Sequence, residues 1–103
     1  MSIYVDDWYA KYGRMTMCHM IGDTEIELHA MAARIGVARR HHQGDHYDIC
    51  KAMRELAVSS GAIEITAKQC AAMNRRRVIT GSLGEPEDAI AWYKNHRRKT
   101  AAT

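Results

Sequence analysis

The chain has 103 residues, which is enough for one small domain with a single core and too few for two. Hydrophobic residues make up 47% of it, with seven Met and no Phe, so we expect a core of aliphatic and thioether side chains. The net charge of +3 reflects basic runs at residues 75–77 and 97–99, which suit an anionic partner but are also typical of solvated helix faces. The three Cys form no C-x-x-C pair, which argues against a disulfide framework and a zinc ribbon.

The first half of the chain predicts three strands and one helix. Runs rich in β-formers predict strands at residues 3–5 and 14–21, and a brief third strand at residues 37–40. A capping box that begins at Thr24 and a glycine stop at Gly36 enclose apolar residues at helical spacing. We therefore expect a helix between these two residues.

The second half predicts helices separated by one strand. A helix is expected from about Ile49, with Asp48 as its N-cap candidate. The alternating run at residues 62–66 predicts a strand that leads through a second capping box into a helix ending near Arg77. A glycine-rich loop follows, and Pro86 fits the first turn of a last helix.

Strands that alternate with helices predict an α/β fold, with a small, mainly parallel sheet and helices packed on it in a single domain. We expect an α/β core domain at residues 1–80, a C-terminal helical extension at 81–99 and a disordered tail at 100–103. The chain shows no secretory leader pattern and no apolar run of membrane-spanning length. The expectation is therefore a cytoplasmic protein without a membrane partner.

Four residues are candidates for catalysis. In open α/β sheets ligands bind beyond the carboxyl ends of the strands, and Asp6 and Asp7 directly follow the first predicted strand. They could hold a divalent cation such as magnesium or act as a general base, although Asp is also a common turn former. His46 and Asp48 are two residues apart and would project together from extended backbone. Such a pair can coordinate a metal ion or orient an imidazole, but its spacing matches no zinc pattern.

Further polar residues near the same predicted edge form a candidate binding set for a phosphorylated ligand. Helix N-termini and basic side chains are the groups that bind phosphate. Ordinary roles compete with this interpretation: helix capping for Asp23, a hydrogen-bonded core position for His19 and a surface ion pair for His29. The candidate ligand-binding residues are Arg14, His19, Asp23, Thr24, His29, Arg39, Gln43, Tyr47, Lys51 and Arg54.

Several motifs in one order resemble a family of short phage and bacterial proteins known only as a domain of unknown function. The motifs are YVDDW at 4–8, GRM at 13–15, CHMIGDTEIELHAMAARIGVARR at 18–40, HYDI at 46–49 and GAIEIT at 61–66. The resemblance covers about residues 3–75 and brings no established activity. It implies that the polar residues at motif positions are stronger site candidates than the other polar residues. They are Asp6, Asp7, Arg14, His19, Asp23, Glu27, His29, Arg39, Gln43, His46, Tyr47 and Asp48.

The chain departs from this family in the segment before HYDI. His41 and His42 stand where the family carries an aromatic pair, and the short QGD segment at residues 43–45 replaces a longer, Pro-rich spacer. The two histidines are therefore left out of the candidate site. The part after Arg77 is an extension individual to this chain.

Three functions fit these observations, and they leave open whether the protein is an enzyme. The favoured one is a module that binds a nucleotide or another phosphorylated ligand at the strand ends, in keeping with a phage setting and an anti-defence role. The second is a metal-dependent phosphoesterase or nuclease that uses the four catalytic candidates. The third is an inhibitor-type protein that contacts nucleic acid or a host protein through its basic C-terminal helices.

Overall fold

The computed structural model describes residues 2–101 and shows a six-stranded sheet with α-helices on both faces. The strands are β1 (Ile3–Val5), β2 (Ala10–Tyr12), β3 (Met15–Gly22), β4 (His42–Gln43), β5 (His46–Cys50) and β6 (Ile63–Glu64). The helices are α1 (Glu25–Ile35), α2 (Lys51–Ser59), α3 (Ala67–Thr80) and α4 (Pro86–Ala101), with a short 3₁₀ helix at Arg39–His41. The strand order is β4-β5-β3-β1-β6, and β2 pairs with the part of β3 that β1 leaves free.

The sheet is mixed, so the prediction of a mainly parallel sheet was wrong, while the α/β class and the single domain are confirmed. Within residues 2–101 the parallel pair is β1 with β6, and the other four pairings are antiparallel. Two hairpins account for two of these four antiparallel pairings, β2 with β3 and β4 with β5, since a two-residue turn can join only antiparallel strands. Gly13 opens the β2–β3 turn with φ 61°, and Gly44 opens the β4–β5 turn with φ 72°.

The two faces of the sheet are covered by different helices, and one face is covered only in part. On one face, α1 and α2 pack on the apolar side chains that alternate along the strands, among them Val5, Met20 and Ile49. On the other face, α3 packs on Tyr4 and Ile21 and carries α4 on its far side. Helix α3 therefore covers the β1 end of this face. The β5 end of the same face, which we call the open half of the sheet, carries polar side chains instead.

The structure confirms the predicted caps of α1 and α3. Thr24 precedes α1 and its hydroxyl accepts a hydrogen bond from the Glu27 N–H, while Gly36 ends α1 in the left-handed conformation with φ 84°. Thr66 and Gln69 form the full capping box of α3. Local side chain to backbone bonds fixed these boundaries, so they could be predicted from short sequence motifs.

Two local predictions in the middle of the chain were wrong. Residues 46–50 form strand β5 rather than the entry to a helix, and Cys50, not Asp48, is the N-cap of α2. The alternation of β5 buries Tyr47 and Ile49, and that tertiary burial outweighs the local capping preference of Asp48. Instead of a strand at residues 37–40, the chain forms the 3₁₀ helix.

The C-terminal part is more helical than predicted. Helix α3 continues past Arg77 to Thr80, and α4 continues to Ala101. Residues 102 and 103 of the predicted tail lie outside the described residues. Among residues 2–101 we find no helix with the length and apolar character needed to span a lipid bilayer.

Candidate metal centre

A buried carboxylate beside β1 orients one imidazole of the open half. Beyond the end of β1, Asp6 still pairs with β3, because its N–H donates to the His19 carbonyl at 3.0 Å. Its side chain is 1% exposed and accepts hydrogen bonds from the backbone N–H groups of His19 at 2.8 Å and of Trp8 at 3.2 Å. The second carboxylate oxygen lies 2.7 Å from Nδ1 of His19, and the Trp8 indole stacks on the imidazole with ring centroids 4.3 Å apart. The His19 ring is therefore fixed, with Nε2 pointing away from Asp6.

The protonation of these two groups is strongly coupled. Burial alone would raise the pKa of Asp6, but hydrogen bonds from the His19 ring and from the backbone N–H groups of His19 and Trp8 outweigh it and lower that pKa. The hydrogen bond to Asp6 raises the pKa of His19 against the opposing effect of burial, and the charges of Asp6, Asp48 and Asp45 raise it further. Asp6 is thus held as a carboxylate facing Nδ1 of His19.

Strand β5 brings a second imidazole and a carboxylate to the same place. Asp48 is the register partner of His19, and His46 lies two residues earlier on the same face of β5. Oδ1 of Asp48 lies 3.3 Å from Nε2 of His46 and 3.8 Å from Nε2 of His19. Nδ1 of His46 lies 2.7 Å from Oδ1 of Asp45, so this ring is also oriented by a carboxylate. We call His19, His46 and Asp48 the central cluster.

The central cluster has the arrangement of a metal centre. Its two imidazole nitrogens and one carboxylate oxygen lie within 4.8 Å of one another. Two His and one carboxylate are a ligand set that binds Zn²⁺ and other transition metals while leaving positions open for water. In such centres each ligating His gives its other ring nitrogen to a carboxylate or carbonyl, which is the role available to Asp6 and Asp45 here.

Two cavities flank the central cluster and share Trp8. The inner cavity, of about 380 Å³, lies between His19, His46 and helix α3. The outer groove, of about 420 Å³, runs from Asp48 along the β2–β3 hairpin past Lys11 and Tyr12. A ligand could therefore reach the central cluster from either side of the Trp8 ring.

Cys70 lies on the α3 wall of the inner cavity, and burial keeps its thiol protonated in the absence of a metal ion. Its sulfur and the ligand atoms of Asp6 and His19 lie within 4.8 Å of one another. Burial raises its pKa to about 12, and the charges of Asp6 and Asp45 add to the effect. Without a metal ion the thiol stays protonated at neutral pH. Its sulfur accepts a hydrogen bond from the Asn74 side-chain amide at 3.9 Å.

Arg77 holds the turn that carries Asp45. Its guanidinium donates to the Gly22 carbonyl at 2.8 Å and to the Asp45 carbonyl at 3.0 Å. It also donates to the Asn74 side chain at 3.1 Å. Arg77 is therefore a positioning residue that joins α3 to the end of β3 and to the β4–β5 turn.

The structure brings together three of the four catalytic candidates and leaves the fourth elsewhere. Asp6, His46 and Asp48 meet at the central cluster. Asp7 is exposed and accepts a hydrogen bond from the Ala67 N–H at 2.8 Å, so it caps the start of α3. His19, which the sequence placed among the ligand-binding candidates, completes the set.

The four basic ligand-binding candidates lie outside the central cluster, and none of them lines the inner cavity or the outer groove. Arg54 is buried and donates to the Asp6 carbonyl at 2.7 Å and to Glu64 at 3.0 Å. Lys51 lies over the Tyr9 ring, 5.8 Å from its centroid. Arg14 is exposed in the β2–β3 turn, and Arg39 is exposed in the 3₁₀ helix.

The remaining candidates have identifiable structural positions. Asp23 accepts a hydrogen bond from the Ser2 N–H at 2.8 Å, which ties the start of β1 to the end of β3, and Thr24 caps α1. His29 and Tyr47 meet on the α1 face of the sheet, 2.6 Å apart. Gln43 lines the outer groove.

Sequence reasoning missed Trp8, Asp45 and Arg77 as site residues. Trp8 lies in the YVDDW motif and Asp45 in the QGD segment, both beside residues that were selected, so adjacency was the available signal. Arg77 belongs to a basic run that predicted a solvated helix face, and its partly buried hydrogen bonds depend on tertiary contacts that no local pattern shows.

One family model matches this chain. It is described as Protein of unknown function (DUF4031), and it matches residues 3–77, which include the central cluster, Asp6, Asp45 and Arg77. No curated protein and no solved structure gives a significant match.

Proposed function

The chain belongs to this family of proteins of unknown function, and we propose that it is a metal-dependent phosphoesterase whose metal ion is held by His19, His46 and Asp48. One observation carries the proposal: two imidazole Nε2 atoms and a carboxylate oxygen converge, and both Nδ1 atoms face other carboxylates at 2.7 Å. This arrangement fixes each ring with a lone pair available for a metal ion.

The ligand types favour a transition metal over magnesium. Two imidazoles and one carboxylate suit Zn²⁺ or Mn²⁺, whereas Mg²⁺ prefers sites made of oxygen ligands. Three protein ligands leave room for water, and a metal ion of this kind lowers the pKa of bound water and polarises a phosphoryl oxygen.

The charge around the cluster supports a role for the metal in binding a phosphorylated ligand. Asp6, Asp45 and Asp48 all lie at the central cluster, so an anionic ligand would be repelled in the absence of a cation. The basic candidates do not offset this charge, because none of them lines either cavity. These facts favour metal-mediated chemistry over a binding module built from arginine and lysine.

The outer groove supports a nucleotide or a nucleic-acid strand as substrate. Trp8 is 48% exposed and Tyr12 is 74% exposed, and both line this groove together with Lys11. Exposed aromatic rings stack on nucleobases, and a neighbouring ammonium group binds phosphate. The groove ends at Asp48, so a phosphodiester lying in it would reach the metal ligands.

The decisive experiment measures phosphodiester hydrolysis by the metal-stripped full chain after addition of Zn²⁺, Mn²⁺ or Mg²⁺. Bis(p-nitrophenyl) phosphate and a single-stranded oligonucleotide serve as substrates. We expect turnover with Zn²⁺ or Mn²⁺, and a loss of at least about 100-fold in His46→Ala, because a ligand is removed. His96→Ala is the matched control, since this histidine lies on α4 with its ring stacked on Trp92. Absence of turnover with every metal, or equal activity in His46→Ala, would refute the proposal.

A further inference from the structure

A second group of metal-ligand side chains lies on the other face of the sheet, where α1 meets the edge strand β4. Glu25 and His29 are one turn apart on α1, and His42 comes from β4. Oε2 of Glu25 lies 2.9 Å from Nε2 of His42 and 3.4 Å from Nε2 of His29. These three ligand atoms lie within 4.8 Å of one another. We call these three residues the α1 cluster.

The Nε2 atom of His42 lies beside the Glu25 carboxylate without an aligned hydrogen bond. This nitrogen is buried and makes no hydrogen bond among the described residues, although the Glu25 oxygen is only 2.9 Å away. A buried polar nitrogen without a hydrogen bond is costly and rare. A nitrogen and a carboxylate oxygen this close, with no aligned hydrogen bond between them, can both give a lone pair to one metal ion.

The His29 ring is oriented by a buried tyrosine. Its Nδ1 atom lies 2.6 Å from the hydroxyl of Tyr47, which is 1% exposed and therefore fixed. When Nδ1 donates to this oxygen, the lone pair of Nε2 is directed toward Glu25 and His42. Tyr47 thus contacts the Nδ1 side of the His29 ring, as Asp6 contacts the Nδ1 side of the His19 ring.

We propose that Glu25, His29 and His42 form a second site for a divalent metal ion, best suited to Zn²⁺ and separate from the central cluster. Zinc bonds of about 2.0 to 2.1 Å in tetrahedral geometry place neighbouring ligand atoms roughly 3.3 Å apart. The observed separations of 2.9 and 3.4 Å lie on either side of this value. Glu25 is 48% exposed, so water can supply the fourth ligand. A metal ion here would fasten the two-residue strand β4 to the first turn of α1.

The test is the stoichiometry of Zn²⁺ binding to the full chain, measured by isothermal titration calorimetry. Wild type is expected to bind two equivalents, and the variants His42→Phe and Glu25→Gln one each, or a second with affinity lowered at least tenfold. His41→Ala is the matched control, because this exposed neighbour of His42 lies outside the cluster, and it should still bind two. Unchanged stoichiometry and affinity in both His42→Phe and Glu25→Gln would overturn the proposal.

The two proposed sites can fail separately. His46→Ala should remove only the ion of the central cluster, and His42→Phe only the ion of the α1 cluster. If wild type binds one ion that survives in His46→Ala and disappears in His42→Phe, the second site stands while the proposed function falls. If the one ion is lost only in His46→Ala, the second site is refuted. Glu25 is exposed on the first turn of α1, so Glu25→Gln provides a folded variant should His42→Phe lose its structure.

Tyr47→Phe separates an orienting role from simple packing. This change removes the hydroxyl that bonds His29 and keeps the ring that fills the core. Loss of an outer hydrogen-bond partner typically weakens metal binding by about 10- to 100-fold. We expect that loss for the ion of the α1 cluster and none for the ion of the central cluster. Equal affinity in Tyr47→Phe and wild type would contradict the orienting role.

Discussion

At the scale of single residues, the identity of the atom facing each Nδ1 decides what the opposite side of the imidazole can do. Asp6 is buried and accepts three hydrogen bonds, two of them from backbone N–H groups. Because its carboxylate can only accept, Nδ1 of His19 must carry a proton, and in the neutral ring Nε2 keeps its lone pair. The Asp6 carboxylate thus sets the tautomer of the His19 ring, while the atom available to a metal ion is Nε2 on the opposite side of that ring.

Asp6→Asn should weaken metal binding at the central cluster although the side chain keeps its shape. The Asn oxygen would accept the backbone N–H bonds, so its amide NH₂ would face Nδ1 of His19 and force the proton onto Nε2. We expect a loss of metal affinity of at least about 10- to 100-fold, measured by calorimetry. Asp7→Asn is the control, since Asp7 caps α3 and should leave the affinity unchanged. Wild-type affinity in Asp6→Asn would show that the tautomer is not fixed in this way.

At the scale of secondary-structure elements, the predictions that succeeded were those encoded locally. Helices α1 and α3 start at Thr24 and Thr66, whose side chains bond the backbone three residues on. Strand β5 was missed because burial of Tyr47 against α1 and α2 decides its conformation. The two-residue turns that make the sheet mixed contain single glycines, a weak signal unless the pairing strands are already known.

The candidate site could also be predicted only where local sequence carries the signal. Asp6 was selected because it follows a predicted strand, and His46 and Asp48 because they are two residues apart and would project together from extended backbone. The three side chains do meet. The partnership of His19 with them depends on the register between β3 and β5, which the sequence alone does not specify. The sequence could not distinguish Asp6 from Asp7, because both are carboxylates in one motif. The fold places Asp6 beside His19 and Asp7 at the start of α3.

The junction between α3 and α4 offers a test at the element scale. Gly84 has φ 66°, and a Cβ atom at this position would lie 2.6 Å from the Arg76 guanidinium. Gly84→Ala must therefore shift the Arg76 guanidinium, which donates hydrogen bonds to Asp88 and to the Glu85 carbonyl. We expect a destabilisation of about 1 to 2 kcal/mol from the left-handed backbone, with about 1 to 3 kcal/mol more from loss of these bonds.

Gly81→Ala separates these two contributions. Gly81 also has a positive φ, 87°, but a Cβ atom there would meet nothing within 4 Å. Urea denaturation should therefore show a smaller loss of unfolding free energy for Gly81→Ala than for Gly84→Ala. Equal losses would mean that Arg76 can move aside without cost.

At the scale of the whole molecule, the stability of the metal-free protein should depend on pH through its paired imidazole and carboxylate groups. The pKa of Asp6 is lowered on folding and that of His19 is raised. Asp6 therefore stabilises the fold above its unfolded pKa and loses this contribution as pH falls through its lowered folded pKa. His19 contributes fully below its ordinary pKa of 6.5 and loses its contribution as pH rises through its raised folded pKa.

We therefore expect the unfolding free energy of the chelator-treated wild type to exceed that of His19→Gln most at about pH 5 to 6. The difference should shrink as pH rises past 6.5 and through the raised pKa of His19. His29 has a lowered pKa and acts in the opposite direction, but it is common to both proteins and cancels in the comparison. Urea denaturation at a series of pH values measures the difference, and His96→Gln should follow the wild-type curve. A difference that grows with pH would contradict the assignment.

Strand β5 serves both faces of the molecule with consecutive residues. His46 and Asp48 project toward α3, and Tyr47 between them projects toward α1. Sliding this strand by one residue against β3 would exchange its two sets of side chains. The central cluster would lose His46 and Asp48, and the α1 cluster would lose the Tyr47 hydroxyl that faces His29. A one-residue insertion or deletion within β5 is therefore a far more severe lesion than any substitution in it. Tolerance of length changes should be confined to connections such as the loop at residues 81–85.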